Sequence, residues 1–122
     1  MKKVIRGAIF YASLSPALGS EEKGCRPVVI LQNDIGNKYS PTTVVAPIST
    51  KGYKDRFQPT HVRVYPQSKL KPNSIILLEQ VRVVDKKRLK GFVGLIDDYK
   101  MKEINKALKI AFALNKEDEN DK

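Results

Sequence analysis

A mainly β domain with a helical end, bent into a small SH3-like barrel, is the fold class the sequence predicts. Three observations carry that prediction. Short runs rich in β-branched residues recur along the chain with turn residues between them. One clear amphipathic stripe follows Asp97. The 122 residues suffice for one core but not for two. Strands in succession, with no regular strand–helix alternation, argue for an antiparallel bent sheet rather than βαβ units.

The elements follow in order. A first strand is predicted over roughly Gly7 to Ser13, with Ile9 and Tyr11 on one face, ending at Ser15-Pro16. Pro27-Val28-Val29-Ile30-Leu31-Gln32 is an apolar run between Gly24 and Asn33-Asp34-Ile35-Gly36-Asn37, the punctuation of a buried central strand. Two further strands are expected at Thr42 to Ser49 and Thr60 to Tyr65, joined by the charged segment Thr50 to Pro59, with a fifth at Ser74 to Val84. Asp85 can cap a short helical turn over Lys86 to Lys90 before Gly91. Asp97 can cap the final helix, in which Met101, Ile104, Leu108, Ala111 and Phe112 recur at three- and four-residue steps. Residues 1–115 are therefore expected to form a single domain. The remaining segment, 116–122, holds four acids against two lysines and reads as a solvated tail.

Composition narrows the partners. The chain has 23 basic and 13 acidic residues, a formal charge of +10. Without the tail's two lysines and four acids the body holds 21 against 9, a net +12. Such an excess on a small domain points to a polyanionic partner. No apolar stretch approaches membrane-spanning length, and the basic N-terminus leads into no signal-like run, so a cytoplasmic protein without membrane contact is expected. The single cysteine, Cys25, offers neither a disulfide nor a CxxC zinc pair. One histidine, one cysteine and scattered acids supply no metal-binding motif, so the reading assigns no cofactor and no metal. The acid pair Asp97-Asp98 suits the start of a helix, and Glu21-Glu22 is placed on an exposed loop. Cys25 and His61, on separate elements, lack the orienting motif of a nucleophile and its base.

Cleavage of RNA needs less equipment than most phosphodiester chemistry, because the adjacent 2′-hydroxyl is an internal nucleophile. The protein then supplies positioning and charge stabilisation. A guanidinium, planar and permanently charged, suits that role because it can bridge two phosphoryl oxygens. Arg26, between Gly24-Cys25 and Pro27 at the start of the most apolar strand, is the best-placed candidate. On position alone it is one surface arginine among many.

The motifs around it distinguish it. Arg6-Gly7, Phe10-Tyr11-Ala12, Leu14-Ser15-Pro16, Gly19-Ser20-Glu21 and Gly24-Cys25-Arg26-Pro27-Val28 occur in order. They are followed by Ile30-Leu31-Gln32-Asn33-Asp34, Pro47-Ile48-Ser49, Pro59-Thr60-His61-Val62 and Leu78-Glu79-Gln80-Val81-Arg82. This series, over roughly residues 6 to 114, resembles the MazF/PemK family of toxin endoribonucleases. The resemblance implies a dimerising SH3-like barrel that cuts single-stranded mRNA at short sequences without a metal ion. It also implies inhibition by a MazE-like antitoxin that inserts an acidic disordered segment. By the same resemblance the catalytic pair falls on Arg26 and Ser49, with Thr50 the alternative to Ser49, because successive strand residues face opposite ways. Ser20 is implied by the resemblance to contact RNA near the cut. Gln80 and the segment Thr50 to Pro59 are expected to help read exposed bases, with Lys51, Lys54 and Arg56 attracting phosphates. A guanidinium is a poor general base, so the group that removes the 2′-proton is left open. Ala8, Lys23 and Val83 depart from the family pattern of an acid, a glycine and a threonine, and the cleavage sequence is not carried over. The rival readings are a barrel that binds nucleic acid without cutting it and a gyrase-poisoning toxin on the same scaffold.

Overall fold

The computed structural model describes residues 3–50, 58–64 and 70–114. Among these residues seven strands form one bent antiparallel sheet, joined by a short helix and closed by a longer one. The strands are β1 (Ala8–Ser13), β2 (Cys25–Ile30), β3 (Thr42–Ser49), β4 (His61–Arg63), β5 (Ile75–Leu77), β6 (Arg82–Asp85) and β7 (Leu89–Leu95). The helices are α1 (Asp34–Tyr39) and α2 (Asp98–Ala111). The sheet runs β4-β5-β3-β2-β1-β7, with β6 also paired to β3. Its two ends, β4 and β7, are not joined, so the barrel is bent but open among the described residues.

Alternation of side chains sorts the strands onto two cores. Ala8, Phe10 and Ala12 of β1 pack with Val28, Ile30, Val45, Val84 and Leu89 in a cluster made by strands and the residues beside them. Phe10 meets Phe92 edge-on, with ring centroids 5.6 Å apart, a favoured aromatic geometry. The intervening residues Ile9, Val29, Ala46 and Ile48 face the other way, where they meet Val62, Ile76, Leu78 and the helix residues Ile104 and Ala107. Register slips between Ile9 and Phe10, and between Phe10 and Ala12, interrupt the β1–β7 ladder and increase its local bend.

The helix is built as its sequence dictates. The Asp97 carboxylate accepts the backbone N–H of Lys100 at 2.8 Å, satisfying a donor that the first turn leaves unpaired. Ile104 is fully buried, and Met101 and Leu108 pack at the core margin. Phe112 departs from the expected stripe: it lies one residue past the helix end and is exposed.

Other departures have local causes. The predicted strand Ser74 to Val84 is broken in two by a single 3₁₀ turn at Leu78–Gln80, which redirects the chain from the end of β3 to its beginning. The strand β7 was not expected: the helical turn predicted over Lys86 to Lys90 overlaps its first two residues, and its glycines weaken a strand pattern. The helix α1 is too short to show a period; it is defined by the Asn33 side chain accepting the N–H of Gly36 at 2.8 Å. Its buried Asn37 accepts the Thr43 hydroxyl at 2.7 Å and so ties α1 to β3. The expected turn after Asp85 is a 3₁₀ turn, Lys86–Arg88, with Asp85 accepting the N–H of Lys87. Most of the charged segment Thr50 to Pro59, and the end of the strand predicted to reach Tyr65, lie outside the described residues.

Candidate active site

Antiparallel pairing brings the first three strands side by side, and that order assembles the site. Val28 of β2 pairs with Pro47 of β3, and Ala12 of β1 pairs with Arg26. Arg26 therefore enters beside the C-terminal end of β3, where Ser49 is the last strand residue. Tyr11, Cys25, Arg26, Pro27, Ile48, Ser49, Thr50, Lys71 and Ser74 enclose a cavity of about 170 Å³. Pockets for drug-sized ligands run to about 300–1,000 Å³, so the space suits a phosphate better than a whole nucleotide. Two cations, Arg26 and Lys71, and four hydroxyl-bearing residues, Tyr11, Ser49, Thr50 and Ser74, line it; the Ser74 hydroxyl donates to the Lys71 carbonyl.

The turn before β2 sets the direction of Arg26. Gly24 has φ of +80°, a left-handed conformation that a side chain disfavours. Its carbonyl accepts the N–H of Leu14 at 2.9 Å, closing the base of the β1–β2 connection. That connection is tied down from outside: Arg82 donates to the Leu14 carbonyl at 2.9 Å and Arg88 donates to the Ser15 carbonyl at 2.5 Å. The Arg26 Nε–H donates to the carbonyl of Lys23 at 2.8 Å, and Glu22 Oε1 lies 3.1 Å from the same nitrogen. The Arg26 side chain keeps 26 % of its surface exposed.

The expected residues fall into three groups. Arg26, Ser49 and Thr50 share the cavity, Ser49 buried and Thr50 exposed. Both Ser49 and Thr50 line the cavity; Thr50 lies beyond the end of β3, where strand alternation no longer applies. Ser20 and Gln80 stand together at a neighbouring place, the Gln80 amide nitrogen donating to the Ser20 carbonyl at 3.3 Å. Gln80 lines a second cavity of about 250 Å³ with Leu14, Glu21, Glu22, Pro47, Glu79, Val81 and Arg82. Lys51, Lys54 and Arg56 lie outside the described residues.

Sequence reasoning missed Glu22. Placed on an exposed loop together with Glu21, it instead has only 9 % of its side chain exposed and pairs with Arg26, whereas Glu21 is exposed. Its spacing of four residues from Arg26 is the one hint the sequence offered, and outside a helix that spacing carries little weight. Lys71 and Tyr11 were missed as well: Lys71 stands in none of the motifs, and Tyr11, within Phe10-Tyr11-Ala12, reads simply as a strand residue. His61 sits at the sheet edge with its Nε2 2.8 Å from Glu79 Oε2, while the Thr60 hydroxyl donates to the other carboxylate oxygen at 3.0 Å. It belongs to that network and not to the Arg26 cavity.

Residues 5–112 match the model of the PemK-like, MazF-like toxins of type II toxin–antitoxin systems. The chain belongs to this toxin family. A curated relative, Endoribonuclease MazF of Staphylococcus saprophyticus, is 50 % identical over 111 residues, covering 90 % of this chain and 92 % of that one. At that level of identity the chain is a toxin of the endoribonuclease type. Solved structures agree on the fold. MazF of Deinococcus radiodurans superposes with a TM-score of 0.78 at 16 % identity, covering 93 % of this chain and 99 % of that one. A mycobacterial endoribonuclease, solved with its cognate antitoxin, gives 0.74 at 24 % identity, with 90 % and 95 % covered. No helix among the described residues is long and apolar enough to cross a membrane.

Proposed function

We propose that this toxin cuts single-stranded mRNA at short specific sequences, without a metal ion, by attack of a 2′-hydroxyl on the adjacent phosphate. The observation that carries the reading is the shared cavity: a guanidinium, an ammonium and buried or half-buried hydroxyls converge where a phosphate would fit. The Nε of Arg26 is occupied by protein, and its two terminal nitrogens make no hydrogen bond among the described residues. Those nitrogens are the pair that can bridge two phosphoryl oxygens. As the 2′-oxygen bonds to phosphorus and the 5′-oxygen departs, negative charge grows on the phosphoryl oxygens. Fixed donors aimed at them stabilise the transition state more than the ground state.

Ser49 is the partner donor in this scheme, at the rigid end of β3, with Thr50 available from the mouth of the cavity. Lys71 adds positive charge to the same space. Gln80 lines the neighbouring cavity, where a flanking nucleotide would lie, and holds the Ser20 carbonyl beside it, while Lys51, Lys54 and Arg56 attract the RNA backbone. Residues 1–115 act as one domain ahead of the acidic tail 116–122. The active form is a cytoplasmic homodimer, and a MazE-like antitoxin blocks it by placing an acidic disordered segment on the basic groove.

The test is incubation of purified, antitoxin-free protein with mixed-sequence single-stranded RNA in excess EDTA, with the new ends mapped. Cleavage at recurrent short sites is expected, lost in Arg26→Ala. Intact RNA refutes the nuclease mechanism; undiminished cutting by Arg26→Ala refutes the site. Sedimentation as a monomer at micromolar concentration refutes the dimer.

A further inference from the structure

Between the two cavities stands one carboxylate that neither cavity's chemistry has used. Glu22 lines the larger cavity, yet its Oε1 is buried and accepts no hydrogen bond. The nearest cation is Arg26, whose Nε is 3.1 Å away but directs its hydrogen to the Lys23 carbonyl. The carboxylate therefore acts on the guanidinium through charge, at its Nε atom. Its own position is fixed from the 3₁₀ turn after β5. Gln80 Oε1 accepts the backbone N–H of Glu22 at 2.9 Å, and Gln80 Nε2 donates to the Ser20 carbonyl. One side-chain amide thus grips the loop on both sides of Glu21.

We propose that Glu22 is a positioning residue for Arg26: its buried carboxylate, held in place by Gln80, keeps the Nε edge of the guanidinium against the protein so that the terminal nitrogens face the scissile phosphate. The proposal rests on the reading of Arg26 as the phosphate-binding cation. Its physical basis is the length of the arginine side chain, which has many rotamers in solution and must be restrained to act as a preorganised donor. Lys23 supplies a directional hydrogen bond at one atom. Glu22 supplies the attraction that keeps the charged group there once a polyanion approaches from the other side. Because the contact is made at Nε and not at the terminal nitrogens, the phosphate does not have to displace it. That separates this role from an autoinhibitory one.

The experiment measures cleavage of a mixed-sequence single-stranded RNA by protein in excess, as maximal rate and half-saturating concentration, for wild type, E22Q, E22D, R26K, E22Q/R26K and R26A. Thermal unfolding of each variant is followed in parallel. E22Q keeps the shape and removes the charge, and it is expected to lower the maximal rate roughly tenfold, since small misplacements of a reacting group cost up to about a hundredfold. The half-saturating concentration and the unfolding midpoint should change little. E22D, with its charge on a shorter arm, should recover part of the rate. In the R26K background, where there is no Nε edge to hold, E22Q should add almost nothing, the non-additivity of residues that act as a unit. An E22Q rate equal to or above wild type overturns the proposal, as does an E22Q effect that multiplies unchanged with R26K. If R26A itself cuts normally, the phosphate-binding reading fails first and takes this proposal with it. Loss of activity in R26A beside a normal E22Q overturns the proposal alone.

Discussion

Arg26→Lys separates what charge contributes from what the planar guanidinium contributes. The lysine keeps a positive charge but replaces a fork of donors with a single compact ammonium. In the folded protein the lost structural contact is the Nε hydrogen bond to the Lys23 carbonyl, 2.8 Å long and partly exposed. Such a bond is worth about 0.5–1.5 kcal/mol, and partial exposure puts this one near the lower figure. For a chain of this size that amounts to roughly 2–4 °C in unfolding temperature. The catalytic loss is larger. Removing one donor from a developing oxyanion costs about 2.7–4 kcal/mol, or roughly a hundred- to a thousandfold in rate. Since the ammonium retains its charge and one donor, about a hundredfold is expected. The assay is single-turnover cleavage of end-labelled RNA in EDTA, with unfolding followed by circular dichroism. A variant within about threefold of the wild-type rate would show that charge alone suffices and would refute the two-point grip. A rate loss matched by collapse of the unfolding temperature would refute the small structural role.

The remaining predictions follow from single contacts. Ser49→Ala, at the buried end of β3, should lower the maximal rate more than Thr50→Ala, which changes an exposed residue past the strand; equal effects would mean that both hydroxyls reach the phosphate. Gly24→Ala forces a side chain onto a φ of +80° and should cost about 1–2 kcal/mol in urea unfolding, together with activity, because the strained turn immediately precedes Arg26. Ile104→Ala empties a fully buried site between α2 and the sheet and should cost about 2–5 kcal/mol while leaving the cleavage rate of the folded protein unchanged. Asp97→Ala removes the cap on the Lys100 N–H and should cost about 1 kcal/mol, again without a kinetic effect.

Much of this molecule was legible because local signals and tertiary demands agree in it. The bounds of β3 were read correctly, since its apolar run is bracketed by turn residues and buried almost throughout. The capping aspartates 85 and 97 were legible for the same reason: a carboxylate before a helical turn has one obvious use. The strand β7 was hidden by Gly91 and Gly94, whose lack of side chains matters little when Phe92 and Val93 supply the packing. The 3₁₀ turn inside the predicted fifth strand was hidden because Leu78 is as buried as a strand residue would be. At the site, motif resemblance named Arg26 and Ser49, and the pairing of β2 with β3 brings these two residues to one cavity. Glu22 was not legible: nothing local distinguishes a carboxylate on a loop from one folded back under a guanidinium. That difference is made by Gln80, 58 residues away.

Strand β3 has hydrogen-bonded neighbours on both edges: β2 along one, β6 and then β5 along the other. Its amides should be among the slowest in the protein to exchange with solvent, whereas the β1–β2 connection is held mainly by side chains reaching in from elsewhere. The two halves of the candidate site thus belong to regions of different resistance to opening. In mild denaturant the loop that steadies Arg26 should loosen while Ser49 stays fixed, and the toxin should fall silent before it unfolds.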